Sequence, residues 1–406
     1  MTVVTVLVLA IGGWQTYTYL TRYHEQISGT HGGFPTALGT AAPERPGRVL
    51  PSGADAPVGV VGGLVLHERD NGITANSVRT NRTYWHYGRE KTALISESVV
   101  SGAVVLWYDD GLAVSVDLRS GKPRWHTKVA GKVREDTGDR VWRAGGTVVI
   151  NQQSRLGSRL TGLSVRNGKQ LWSIAPPKRC KGWDPRPPVD LSGVEAFDAT
   201  HCSGLVWNTL YGVDPATGQT RWHIRDQAMG YGRLGDHTLV SLAAPNSLVT
   251  VDVSGARPRM HSTFVPHDAS LYGVSDGMVM LSSANDTSVT ARQVTTDSSK
   301  VLWTVKADKG RALGIPRTAD DRVYIPQYQR QMEAKQQKAH RSAQLLVLDA
   351  RTGHELHRAE LPASLYGSPD DVGVSMMAVL EAKYGVVRVG LSGFLASPES
   401  QVTLAE

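Results

Sequence analysis

Cys180 and Cys202 are the only cysteines in the 406-residue chain. They flank KGWDPRPPVDLSGVEAFDATH, a Pro-rich loop that leads into a strand-like run. Paired in an oxidising compartment, they would staple that loop for about 3 kcal/mol on the loop-closure model. Unpaired, Cys202 beside His201 would offer a thiolate–imidazole couple. We expect the disulfide, which removes the nucleophile. GVSDG, Gly273–Gly277, matches the G-x-S-x-G of a hydrolase nucleophile elbow. That elbow needs a helix after the serine, and the strand-like MVMLSS follows instead, so Ser275 and Asp276 read as a turn between strands. HELH, His354–His357, places two histidines three apart. On a strand they point to opposite faces and do not share one metal. Neither a phosphate-binding loop nor a Cys-x-x-Cys zinc pattern occurs. No catalytic, cofactor-binding or metal-binding residue is assigned.

The elements that would position any site come from a repeat. VDPATGQTRWHIRD, Val213–Asp226, has turn chemistry between two strand-like runs and a Trp four residues after the Gly. The same spacing joins Gly121 to Trp125 and Gly168 to Trp172, as it joins Gly218 to Trp222; Gly353 has His357 at that position. Degenerate copies keep Trp85 with Asn81 in the Gly role, Trp303 with Ser299, and Gly255 with Met260 one position late. The mean spacing of about 45 residues suits a four-stranded propeller blade. In each unit an alternating run such as Val114, Val116, Leu118 forms a half-buried strand. Asp-x-x-Ser/Thr-Gly then turns the chain: the Asp side chain bonds backbone N–H groups and the Gly supplies a positive φ. The Trp on the next strand fills the wedge between neighbouring blades. We therefore read an all-β chain, a β-propeller of four-stranded blades. Eight blades are favoured, with seven as the alternative, and the last blade is completed by a strand from near Val60.

Residues 1–20, MTVVTVLVLAIGGWQTYTYL, carry no charge before Arg22, with Trp14, Tyr17 and Tyr19 at the position of an interfacial aromatic belt. They read as a transmembrane anchor helix or an uncleaved signal, and neither a basic head nor a small-x-small cleavage site accompanies them. Residues 21–52 are rich in Gly, Pro, Ala and Thr and read as a flexible linker. The propeller is expected over 53–406. QMEAKQQKAHRSAQ, Gln331–Gln344, interrupts the repeat with helix-forming, basic composition and reads as a protruding insertion. The net charge of +7 favours anionic surroundings such as membrane headgroups or acidic wall polymers. The basic residues are scattered, which argues against nucleic acid as the partner.

The units D-x-x-T-G-x-x-x-W, clearest at Asp117–Trp125, Asp214–Trp222 and Asp349–Gly353, resemble the repeat of the pyrroloquinoline-quinone-like (quinoprotein-type) β-propeller family. The resemblance covers roughly residues 53–406. It implies one of two branches: quinone-dependent dehydrogenases, or non-enzymatic scaffolds similar to the outer-membrane assembly factor. The dehydrogenase branch implies a disulfide between adjacent cysteines, a Trp platform and a calcium site. Cys180 and Cys202 are too far apart in sequence for that disulfide, and Trp85, Trp125, Trp172, Trp222 and Trp303 are accounted for by blade packing. Envelope proteins of Gram-positive actinobacteria with this repeat also look similar, though no lipoprotein cysteine lies near this N-terminus.

The expected protein is thus a membrane-tethered, extracytoplasmic, monomeric propeller that needs no cofactor and binds a protein partner or an anionic envelope component. The alternatives are a quinone-dependent enzyme and a ligand or glycan sensor. Trp183 in the stapled loop and Lys335 and Lys338 in the insertion are the candidate contacts.

Overall fold

The computed structural model describes residues 23–30, 32–50, 57–69, 71–129, 140–154, 157–178, 180–184, 186–202, 207–226, 231–243, 246–255, 257–266, 269–275, 277–295, 298–329, 342–362, 365, 376–392 and 401–406. Among them, eight antiparallel sheets follow one another along the chain as the blades of a propeller. From the axis outward, the first blade holds β3 (Pro57–Val61), β4 (Leu64–Arg69), β5 (Gly72–Ser77) and β6 (Thr83–Arg89), and β1 (Glu25–Ser28) adds a fifth strand outside β6. The second holds β7 (Leu94–Val100), β8 (Ala103–Tyr108), β9 (Leu112–Asp117) and β10 (Pro123–Lys128). The third holds β11 (Arg140–Ala144), β12 (Thr147–Ser154), β13 (Gly157–Ser164) and β14 (Gln170–Ile174). In the fourth, β15 (Gly182–Trp183) and β16 (Val189–Leu191) share the inner edge of β17 (Val194–Cys202), followed by β18 (Trp207–Val213) and β19 (Thr220–Asp226). The fifth holds β20 (Gly232–Gly235), β21 (Thr238–Ala243), β22 (Ser247–Asp252) and β23 (Arg259–Phe264). The sixth holds β24 (Ser270–Ser275), β25 (Met278–Ser282), β26 (Ser288–Val294) and β27 (Ser299–Lys306). In the seventh, β28 (Arg311–Leu313) and β29 (Arg317–Ala319) edge β30 (Arg322–Gln329), followed by β31 (Ala343–Asp349) and β32 (Glu355–Leu361).

The eighth blade is built from both ends of the chain. β33 (Met376–Lys383), β34 (Val386–Ser392) and β35 (Gln401–Ala405) come from the C-terminal end, and β2 (Arg48–Val49) supplies the outermost strand. Arg48 pairs with Ala405 and Val49 with Leu404. The closing strand is therefore β2 and not the stretch near Val60, which forms the innermost strand of the first blade. Val60 does meet the eighth blade: its N–H donates to Glu381 Oε2 at 3.0 Å, and Glu381 also accepts from Arg388 Nη1 at 3.3 Å.

The core is a ring of inter-blade layers. Middle strands are buried on both faces because each face meets a neighbouring blade; all six residues of β8, AVVLWY, are buried. This is why such strands read as unbroken apolar runs while rim strands alternate.

Residues 25–49, within the stretch expected to be a linker, supply β1, β2 and a strap between them. The strap crosses the turns of three blades. A Cβ on Gly63 would sit 2.1 Å from Pro35 O, Gly385 N donates to Ala41 O at 2.7 Å, and Tyr324 Oη donates to Pro43 O at 2.6 Å. Its Gly, Pro and Ala content suits a chain laid flat against backbone turns. No helix among the described residues is long and apolar enough to cross a membrane; the anchor expected over 1–20 lies outside the described residues.

Candidate binding face

Consecutive strands of a blade are antiparallel, so the first and third turns of every blade share one end of the propeller. The second turn and the crossover to the next blade share the other. The first end is closed by tight turns. Asp117, Asp214 and Asp349 each accept two backbone N–H groups through Oδ1, from Arg119 and Ser120, from Ala216 and Thr217, and from Arg351 and Thr352. Gly121, Gly218 and Gly353 follow with φ of 66°, 71° and 70°. Asn81 holds the same role in the first blade at φ 54°, where its side chain tolerates the left-handed region.

The turns at Gly121, Gly168, Gly218 and Gly353 are also sockets for the preceding blade's tryptophan. Trp85 Nε1 donates to Leu118 O at 2.8 Å, Trp125 to Val165 O at 2.9 Å, Trp172 to Pro215 O at 2.7 Å and Trp303 to Ala350 O at 2.9 Å. Their rings lie against Gly121, Gly168, Gly218 and Gly353, where a Cβ would come within 2.4–2.7 Å of a neighbouring atom. Trp222 is buried at the fourth interface but makes no such bond among the described residues, because the fifth blade's turn differs. His357 pairs with Val347 at the Trp position, as the repeat predicts. Ser275 ends β24 and Met278 begins β25, so GVSDG joins strand to strand.

The opposite end carries the longer connections and gathers polar groups. Between the first two blades, Arg89 makes a bidentate pair with Asp110 at 3.1 and 3.0 Å. Burial works to raise the Asp110 carboxyl, but the bonds from Arg89 prevail and hold it below the usual carboxylate range. Lys128 Nζ donates to Asp110 O. Beside this pair, Glu25 of β1 accepts from Tyr87 Oη at 2.5 Å and contacts His126 Nε2 at 2.5 Å, and Tyr23 stacks on His126 at 4.3 Å.

At the fourth blade, Cys180 and Cys202 are disulfide-bonded. Arg186 bridges Asp184 at 2.8 Å and Asp198 at 3.1 Å. Trp183, expected as a contact, is 3% exposed. Pairing of β15 with Ala199 and Thr200 turns its ring inward, edge-on to Phe197 and Tyr211 at 6.3 and 5.6 Å. It is a core residue. Lys335 and Lys338 belong to the β30–β31 connection, which leaves the seventh blade at this same end; both lie outside the described residues. A cavity of about 160 Å³ opens between the fifth and sixth blades.

Along the axis, Glu97 is pushed up to about 7 by burial and by nearby Glu68, against the opposing Arg140. Glu195 is pushed up to about 7 by burial and by Asp190. Among the described residues no group of three or more His, Cys, Asp or Glu is arranged to hold a metal ion. What this end presents is hydrogen-bonding and ionic groups on connections based on rigid strands, an arrangement able to serve as a binding surface. Sequence reasoning missed the Glu25–His126–Tyr87 cluster because its members are far apart in the chain and Glu25 lay in the presumed linker.

A profile of the family described as outer membrane protein assembly factor BamB matches residues 48–222 and 206–364. No curated protein sequence matches the chain. Among solved structures, BamB from Moraxella catarrhalis is similar at 16% identity and a TM-score of 0.50, covering 91% of this chain and 98% of its own. The computationally designed Ika8 protein is similar at 13% identity and a TM-score of 0.56, covering 90% and 99%. Quinohemoprotein alcohol dehydrogenase from Comamonas testosteroni is similar at 12% identity and a TM-score of 0.48, covering 93% and 76%. The profile spans most of the chain, which therefore belongs to the BamB-like family of pyrroloquinoline-quinone-type β-propellers.

Proposed function

We propose that this protein is a membrane-tethered, extracytoplasmic scaffold that holds a protein partner against the long-loop end of its propeller. The observation that carries the reading is the asymmetry of the two ends. One is sealed by Asp–Gly turns and crossed by the 25–49 strap; the other collects the crossovers, the disulfide and the 330–342 connection. Family membership supports the protein-binding role. The disulfide supports an oxidising compartment, the apolar residues 1–20 support a tether, and the net charge of +7 suits an anionic envelope. Catalysis is not part of the reading.

The test is photo-crosslinking in cells with a single reactive residue at Lys91, Lys181 or Lys309 on the long-loop end, or at Arg119, Ala216 or Arg351 on the tight-turn end. All six positions are exposed. A discrete adduct from the first set alone is expected. Capture from the tight-turn set alone, or from neither, would overturn the reading.

A further inference from the structure

We infer that β1 holds the propeller in one orientation on its tether, with the long-loop end of the first two blades against the membrane surface. This rests on residues 1–20 being the tether; it adds which end of the ring they lead into, and how closely.

The chain enters the fold at the long-loop end. β6 runs from its tight turn toward the crossover, and β1 pairs antiparallel to it, Glu25 with Arg89 and Ser28 with His86. β1 therefore begins at the crossover end and finishes at the tight-turn end, where the strap takes over. The entry point is fixed by contacts to two blades. Arg89 Nε donates to Tyr23 O at 3.2 Å, and Glu90 N donates to His24 O at 2.8 Å. Tyr23 stacks on His126 of the second blade with the rings 6° from parallel. The Glu25 side chain is fully buried against Tyr87 and His126. Gln26 Nε2 donates to Glu90 Oε1 at 2.8 Å, and Ile27 packs on the core shared by these blades. His24, at φ 51° in the left-handed region, turns the chain into β1.

Between this pinned entry and the apolar segment stand only Thr21 and Arg22. Two residues reach about 7 Å when fully extended. The seven residues of β6, which separate the two ends of the blade, cover ~20 Å. Residues 1–20 carry no charged side chain and are long enough to span a bilayer. With so short a connection, such a span leaves the tight-turn end out of reach and the crossover end beside the headgroups. A loose linker would let the ring face either way, but the residues that could form one are β1 and the strap, and both are laid onto the blades. Lys91, exposed in the same crossover, suits contact with phosphate headgroups. A protein received at the long-loop end is thereby met at the bilayer surface.

The experiment uses the full chain in phosphatidylcholine–phosphatidylglycerol vesicles that carry a nitroxide on the lipid headgroup. A fluorophore is attached at Lys91→Cys in the crossover or at Arg119→Cys in the tight turn of the second blade. Both positions are exposed, and Cys180 and Cys202 are disulfide-bonded, so the new thiol is labelled alone. Severalfold stronger quenching at Lys91→Cys is expected. Equal quenching at the two positions, as from a ring lying on its side or turning freely, or stronger quenching at Arg119→Cys, would overturn the inference. A Gly-Ser linker inserted between Arg22 and Tyr23 should bring the two positions close to equal while the chain stays with the vesicles. A difference that survives the insert would overturn the role given to β1. Loss of the unmodified chain from floated vesicles after alkaline extraction would sink the tether and the broader reading with it; retention with equal quenching would sink the orientation alone.

Discussion

Trp172 of the third blade donates from Nε1 to the Pro215 carbonyl of the fourth at 2.7 Å, and its ring covers Gly218 so closely that a Cβ there would lie 2.6 Å from Cγ. One residue pair thus sets the distance between two blades. Gly218→Ala adds a methyl group where there is no space and where φ is 71°. A loss of roughly 2–4 kcal/mol is expected, read by denaturant melting. Gly146→Ala is the control: nothing lies within 4 Å of its Cβ position, and stability should change by less than about 0.5 kcal/mol. Trp172→Phe should also cost more than Trp222→Phe, because Trp172 loses a bond across the interface and Trp222 makes none among the described residues.

The axial carboxylates predict an unusual pH response. Glu97 and Glu195 are both raised to about 7 in the folded state. The folded chain then binds more protons than the unfolded chain between the ordinary carboxylate range and pH 7. Their contribution to stability accordingly falls as pH rises through that window. Glu97→Gln and Glu195→Gln should each stabilise the protein at pH 8, by roughly 1–3 kcal/mol, and have little effect near pH 4. A variant that destabilises equally at both pH values would contradict this assignment.

The strap should be separable from the ring. Glu25→Ala leaves Tyr87 Oη and His126 Nε2 without their shared carboxylate in a buried setting, at a cost of about 1–3 kcal/mol. Because the first blade keeps its four inner strands, the loss should be local. Limited proteolysis should cut near residues 24–30 well before the blades, while the unmodified chain resists at that site.

Reduction should act on the fourth blade. The disulfide closes a loop between residues 22 apart, and its removal should cost roughly 3 kcal/mol. A melt of Cys180→Ser/Cys202→Ser against the oxidised chain reads the difference. No change would mean that Trp183, Phe197 and Tyr211 hold the loop alone.

The propeller was legible because its signal repeats: the Asp, Gly and Trp of each unit act locally, and a turn four residues before a tryptophan means the same thing each time. Trp183 was misread because exposure depends on a pairing, β15 with β17, that a two-residue strand hardly announces. His261, which holds the tryptophan position of the fifth blade opposite Thr250, was hidden behind Met260, since losing one residue from a turn removes a bulge and exchanges the faces of the following strand. The strap was masked by composition, as Gly, Pro and Ala suit both a loose connection and a chain pressed onto turns. Which turns share an end of the propeller follows from strand direction alone, which the sequence does contain.

The pairing of Arg48 with Ala405 has a kinetic consequence. β2 and β35 lie at opposite ends of the propeller's strand order and must meet before the eighth sheet is complete, so the contact that shuts the circle joins residues very far apart in sequence. During synthesis the earlier blades can form in order, but the eighth waits for β35 to emerge. Until then β34 and β2 lack the strand that joins them, and the 25–49 segment has no complete eighth blade to cross. The vulnerable interval in the life of this protein is therefore the time before β35 has been made, and truncations that remove β35 should be recovered as aggregates or degradation products and not as smaller propellers.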